Sequence, residues 1–296
     1  LAPRPELVAH PPVVLDRAGI APHLQSLDEW LLPQCFYGVQ HTWPLLYRSD
    51  GHGQFHALFD GDRLISHCAT KTVLAHGLSG PFRCALLGSV ATAPDRRGEG
   101  LAGAVLEAAV AAVSPEVEHI LLWAERPDLY ARHGFVPTAT ETMLAIARRP
   151  RPRMDGVRLA EIRDHDAIHH LHVLKPWRIE RTRQTMSGLL TTPGMTTVVL
   201  EREGAVVAYA CTGKGADLQN TWHEFGGSDD DVAHLLLAAM HLTEQIEAAV
   251  LLPPYRQRLE GLLGISVIDA TQVPGPMARS AHAPLPPMFV DGLDSV

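Results

Sequence analysis

The stretch "VATAPDRRGEGLAGAVLEAAV", residues 90–110, carries an apolar, strand-like segment through one proline, two arginines and two glycines straight into an alanine-rich helical pattern. A strand that feeds a helix through such a loop restricts the chain to an α/β arrangement. The helix start also has a chemistry of its own. Its first amides lack intrahelical partners, and the helix dipole adds partial positive charge there. Gly98 and Gly100 have no Cβ to keep a bulky anion away, and Arg96 and Arg97 add full positive charges beside it. The stretch reads as a phosphate cradle, and an ordinary turn into a surface helix stands beside that reading.

The elements around it repeat. "HLQSLDEWLLPQC" has helical spacing of Leu24, Leu27, Trp30 and Leu31, and strand-like runs follow at about 54–59, 63–76 and 82–92, the first two joined by a "FDGDR" turn. After the helix at about 97–113 come "EHILLWAE" as a buried strand, "PDLYARHG" as a short helix and "ETMLAIA" as a strand. The segment "ARRPRPRMDG" alternates Arg and Pro without an apolar period, so 148–156 reads as a linker between a unit at 1–147 and another at 157–296. The second unit echoes the first. "DHDAIHHLHVL" is a helix, "TTVVLEREGAVVAYACTGKG" a hairpin about Glu203 and Gly204, and "LQNTWHEFGG" a strand. "DVAHLLLAAMHLTEQ", "AAVLLPP", "YRQRLEGLLG" and "ISVIDA" then alternate helix and strand, and the apolar start of "MFVDGLDSV" suggests a tail packed on the body.

At 296 residues and 46% hydrophobic composition the chain has material for two cores. No apolar run approaches the roughly 20 residues that span a bilayer, and "LAPRPELVAHPP" lacks the apolar centre of a secretion signal. The expectation is a soluble, cytoplasmic protein with no membrane partner. Cys35, Cys68, Cys84 and Cys211 lie far apart without paired spacing, which argues for buried thiols over disulfides or a thiolate metal site. A formal charge of −8 and a pI near 6.1 disfavour a nucleic-acid partner.

Residues 90–135 resemble the GCN5-related N-acetyltransferases (GNAT), whose signature is Arg or Gln, two residues, Gly, one residue, then Gly or Ala. Arg97, Gly100 and Ala102 fit it, and "LYARHGF" matches the family's later "Y-x-x-x-G-F" element. The resemblance implies two GNAT-like α/β (α+β) domains, each a mixed, mostly antiparallel sheet flanked by helices. It implies acetyl-CoA as co-substrate, its diphosphate on Arg96, Arg97, Gly98, Glu99, Gly100, Leu101 and Ala102, and its pantetheine arm along Val90, Ala91 and Thr92. Tyr130 takes the position of the general acid, and a phenol of pKa near 10 is protonated at pH 7 and able to donate to a departing thiolate. The acceptor implied is an amine of a small molecule or peptide, acylated directly.

The base is less visible. "LLGSV" offers only Ser89 where many family members carry a carboxylate, and Glu125 after the strand "ILLWA" is the alternative. The second unit lacks the signature, because "HEFGGSDDDVAHLL" puts three aspartates where a cradle needs positive charge or glycine. It reads as a degenerate GNAT-like unit that shapes the substrate cleft, with His223 and Glu224 as substrate or proton-transfer candidates. His165, His169 and His172 share one helical face, yet their spacing has no glutamate of a protease pattern, and a polar face is preferred to a metal site. A homodimer and a non-catalytic acyl-CoA-binding sensor stay open.

Overall fold

The computed structural model describes residues 11–33, 37–48, 51–150, 155–281 and 283–296. Cys35 and the centre of the expected linker, residues 151–154, lie outside them. In chain order the first part runs β1 (Val13–Leu15), α1 (Arg17–Ile20), α2 (Leu24–Leu31), α3 (Val39–Thr42), α4 (Pro44–Tyr47), β2 (Gln54–Asp60), β3 (Arg63–Gly77) and β4 (Gly80–Thr92). It continues α5 (Leu101–Val113), β5 (His119–Leu122), α6 (Pro127–Ala131), β6 (Val136–Pro137) and β7 (Thr140–Ala147). The second part holds β8 (Val157–Leu159), α7 (His165–Val173), β9 (Arg178–Ile179), α8 (Arg183–Leu190), β10 (Thr196–Arg202), β11 (Ala205–Thr212) and β12 (Thr221–Gly226). Then come α9 (Asp229–Leu242), β13 (Glu247–Leu252), α10 (Gln257–Leu263), β14 (Val267–Pro274) and β15 (Met277–Ser280).

Local chemistry explains the hairpins. Asp60 pairs with Arg63 around Gly61, which takes a positive φ of 58°. Glu203 and Gly204 both have positive φ, 52° and 78°, as a two-residue hairpin turn requires. β2, β3 and β4 are antiparallel, while β4 pairs with β5 in parallel across the α5 crossover. β10, β11, β12 and β13 repeat that pattern around α9. The result is two mixed sheets flanked by helices, as the element order implies.

The sheets do not divide where the linker suggests. Their strand orders are β1-β2-β3-β4-β5-β15-β6, with β9 also on β3, and β14-β7-β13-β12-β11-β10-β8. Thus β7, which lies in the 1–147 segment, sits between β13 and β14 of the second sheet, and β15 of the 157–296 segment sits between β5 and β6 of the first. The chain changes sheets at Thr138–Ala139, ahead of the Arg/Pro segment, whose first residues are bonded to the second unit: Arg148 N–H donates to Ile246 O and Arg149 Nε to Ile265 O. Strand patterning marks β7 but not the sheet it joins, and it does not mark β15 as a strand at all.

Alanine-rich α5 packs one face of the first sheet through Val105, Leu106, Ala109 and Val110 against Cys68, Ala85, Leu87 and Ile120. α9 and α10 cover one face of the second sheet. Between the halves, Leu45, Met186, Tyr209 and Leu293 form one cluster, and Ala75, Leu86, Leu121, Ile179 and Val290 another. The 288–296 segment is therefore part of the core. Among the described residues no helix is long and apolar enough to cross a membrane. Cys68, Cys84 and Cys211 are buried free thiols.

Candidate active site

β4 and β5 pair only at Cys84↔His119, Ala85↔Ile120 and Leu86↔Leu121, then diverge and leave the β4 edge open beyond Leu86. The cause lies on the other side of β4. The β3 register slips between His67 and Ala69, and Ser89 adopts a positive φ of 54°. Two β3 side chains hold this bulge. Ser66 Oγ donates to Ala91 O (3.1 Å), and the buried His67 ring meets Ser89 O through Nδ1 (3.0 Å). A carbonyl only accepts, so Nδ1 carries the proton and the ring is neutral; burial pushes its pKa down to about 4. The Ser89 hydroxyl is itself buried, beside the buried Tyr47 phenol.

Past Thr92 the chain makes one turn at Pro94–Arg96, then passes through Gly98 and Gly100 at φ of 84° and 82°. A Cβ at either glycine would meet nothing within 4 Å, and no side chain caps the first turn of α5. The loop is thus an uncapped helix start opening onto free space, which fits a diphosphate. Its charges are unevenly committed. Arg96 is held by Glu99 (3.0 Å) and Asp60 (2.8 Å), and Arg63 by Asp95. Arg97 touches the main chain through a 3.3 Å bond from Nε to Thr92 O. Of the two arginines, Arg97 is the one whose guanidinium is not already matched by carboxylates here.

Tyr130 lies on α6, half-buried, its ring edge-on to Phe135 at 6.3 Å and packed, like Val90 and Ala124, on the core beneath α5. Burial raises its pKa, and the neighbouring Cys68 and Glu125 raise it further, so the phenol keeps its proton. Glu125 is exposed in the loop between β5 and α6. The structure therefore gathers Ser89, Val90, Ala91, Thr92, the 96–102 loop, Glu125 and Tyr130 around one divergence of strands.

His223 and Glu224 sit elsewhere, on β12, and both are buried. Arg181 grips Glu224 at 2.7 and 2.8 Å and Asp294 at 2.9 and 2.6 Å; Lys175 bridges Glu224 (3.2 Å) and Asp291 (2.9 Å), and Tyr209 donates to Glu224 (2.8 Å). Burial alone would raise the Glu224 pKa, but Arg181 and Lys175 outweigh it and hold the carboxyl well below its usual range. That carboxylate is a fixed counter-ion, not a proton acceptor. His223 is pushed down to about 3 by burial and stays neutral, packed against Gly292. His172, Glu224 and Asp291 place ligand atoms within 4.8 Å of one another, yet the Lys175 ammonium already bridges both carboxylates, so the cluster does not fit a metal. His165, His169 and His172 bond separately to Ser187, Arg181 O and Ile179 O.

In the second sheet β12 and β13 also pair briefly and then diverge, but the opening is filled. Phe289 packs with Leu251, and a Cβ on Gly292 would collide with the His223 ring at 2.6 Å. The helix start behind it is closed as well. Ser228 caps α9 through a 3.1 Å bond from Asp231 N, and Asp229, Asp230 and Asp231 face Arg256, Arg258 and Arg202. Ser228 takes one first-turn amide, and the three aspartates bring negative charge and occupy the nearby arginines, so the start of α9 is a poor seat for an anion. The apolar start of "MFVDGLDSV" does pack on the body, at Phe289, but nothing in the sequence says which opening it fills or that Asp291 and Asp294 are buried with it.

Residues 37–138 match the model of an acetyltransferase (GNAT) domain. Among solved structures, a conserved protein from Enterococcus faecalis described as a probable N-acyltransferase shares 14% identity at a TM-score of 0.70, covering 92% of this chain and 73% of that one. A GCN5-related N-acetyltransferase from Anabaena variabilis gives 14% and 0.61 over 88% and 70%. The Saccharomyces cerevisiae N-myristoyltransferase with bound myristoyl-CoA gives 11% and 0.62 over 96% and 81%. At these identities the likeness is one of fold. No curated protein matches the sequence.

Proposed function

We propose that the protein, whose residues 37–138 match the model of an acetyltransferase (GNAT) domain, is an acetyl-CoA-dependent N-acetyltransferase acting on an amine of a small molecule or peptide. The observation that carries the reading is the uncapped start of α5 behind Gly98 and Gly100, at the end of a β4 edge left open by the divergence from β5. In this reading the amides from Gly98 to Ala102 and the Arg97 guanidinium bind the diphosphate, and Val90, Ala91 and Thr92 bind the pantetheine arm with their main chain. Tyr130 donates its proton to the departing CoA thiolate. Its raised pKa suits the role, since the acid form persists throughout the neutral range. Glu125 accepts the amine proton, directly or through water. The amine attacks the thioester carbonyl itself, with no acyl-enzyme. The second sheet, whose opening is filled at Phe289 and Gly292, borders the acceptor side in this reading.

The test is paired. Titration calorimetry should find CoA and acetyl-CoA binding to the wild type, and a library of amines should reveal acceptor-dependent release of CoA. Tyr130→Phe should lower kcat by about 10²–10³-fold with acetyl-CoA affinity retained. Absence of CoA binding to folded protein would remove the reading. Binding without transfer to any amine would instead support a non-catalytic acyl-CoA sensor.

A further inference from the structure

The 288–296 segment threads both strand divergences. It fills the second at Phe289 and Gly292 and then reaches the first, where Val296 lies against Gly88. A Cβ on Gly88 would collide with the Val296 main chain and lie 3.3 Å from its Cγ2. Leu86 and Leu87 show which face this is: Leu87 packs beneath α5, Leu86 on the opposite side, and strand alternation puts the Gly88 face with Leu86. Val296 therefore covers the side of the opening remote from α5, joining the cluster of Leu46, Tyr47 and Phe55 to that of Leu86 and Leu121.

We propose that Val296 sets the length of acyl group the site accepts, limiting it to short chains. This rests on the acyl-CoA reading of the β4 edge. With the diphosphate at the 96–102 loop, the pantetheine arm runs back along Thr92, Ala91 and Val90, and the acyl carbons point past the Ser89 bulge toward Gly88. There the strands are about to rejoin at Leu86↔Leu121, and Val296 closes the open face. An acetyl group ends before this point; a chain several carbons longer runs into it.

Val296 is not free to swing aside. Lys214 Nζ donates to Gly292 O (2.9 Å), Ser295 O (2.9 Å) and Ser295 Oγ (2.7 Å), and Arg181 holds Asp294. The bonds to Gly292 O and Asp294 are buried and those to Ser295 part-buried, so displacing the segment strands polar groups away from water. Lys214 and Arg181 are positioning residues, and Val296 is the wall.

The experiment measures the affinities of CoA, acetyl-CoA, butyryl-CoA and hexanoyl-CoA for the wild type, Val296→Ala and Val296→Gly, with thermal melting to confirm folding. The wild type should bind hexanoyl-CoA about ten-fold more weakly than acetyl-CoA, Val296→Gly, which removes the isopropyl group and leaves the main chain against Gly88, should narrow that difference to about three-fold, and Val296→Ala should fall between them, all with unchanged affinity for CoA itself. If Val296→Gly fails to fold, Val296→Ala decides by the same ratio. Equal wild-type affinity for the two acyl-CoAs, or a ratio unmoved by the substitutions, overturns the proposal while leaving the acyl-CoA reading intact. No binding of CoA by the wild type overturns both.

Discussion

Among single residues, Glu141 shows how a position that looks ordinary in sequence is altered by its neighbours. In "ETMLAIA" it is a polar residue at a strand start. In the fold it is 9% exposed beside Trp123, and burial raises its pKa from 4.5 to about 7, with Trp123 opposing. A carboxyl whose folded pKa lies above its unfolded value binds its proton more tightly when folded. Its stabilising contribution is thus present at low pH and is lost as pH rises from about 4.5 through 7. Glu141→Gln, which keeps the shape of the protonated form, should stabilise the protein at pH 8 by up to about 3 kcal/mol and change little near pH 4.5. Denaturant midpoints at the two pH values check this, and equal effects at both would assign the change to packing. Tyr130 and the 96–102 loop could be picked out in the sequence because the roles proposed for them depend on residue type and local spacing. His67, which fixes the β4 bulge, and Val296, which meets Gly88, were not, because their roles exist only across strands distant in sequence.

In the strand–loop–helix element α5 begins at Leu101, not at about 97, which leaves both Gly98 and Gly100 in the loop. Gly100 occupies the left-handed region with open space around it, so Gly100→Ala meets no clash and should cost only the conformational penalty, about 1 kcal/mol in a urea titration. If the loop seats a diphosphate, the new methyl also stands at the approach and CoA affinity should fall about ten-fold by calorimetry. A stability loss without an affinity loss would return the loop to an ordinary turn. The contrast with α9 is instructive. The three aspartates read as hostile to phosphate prove to have partners of their own, since Ser228 and three arginines complete that helix start.

For the whole molecule, the exchange of β7 and β15 between sheets makes the halves interdependent. Removing residues 1–156 would delete β7 from between β13 and β14 and expose the edges of both. Residues 157–296 expressed alone should therefore not fold, and the full chain should unfold in one transition with coincident far-UV and near-UV circular dichroism. Two separated transitions would show that the exchanged strands couple the sheets only weakly. Periodicity, turn residues and the glycine-arginine loop were enough, from the amino acids alone, to place most helices and strands and the repeat of the unit, because each depends on residues close together in the chain. The pairing of β7 and β15, the buried ions around Glu224 and the threading of residues 288–296 through both openings were decided by tertiary structure alone. Main-chain pairing is nearly indifferent to side-chain identity, and a charge becomes a core residue only when its counter-charge arrives from elsewhere in the chain.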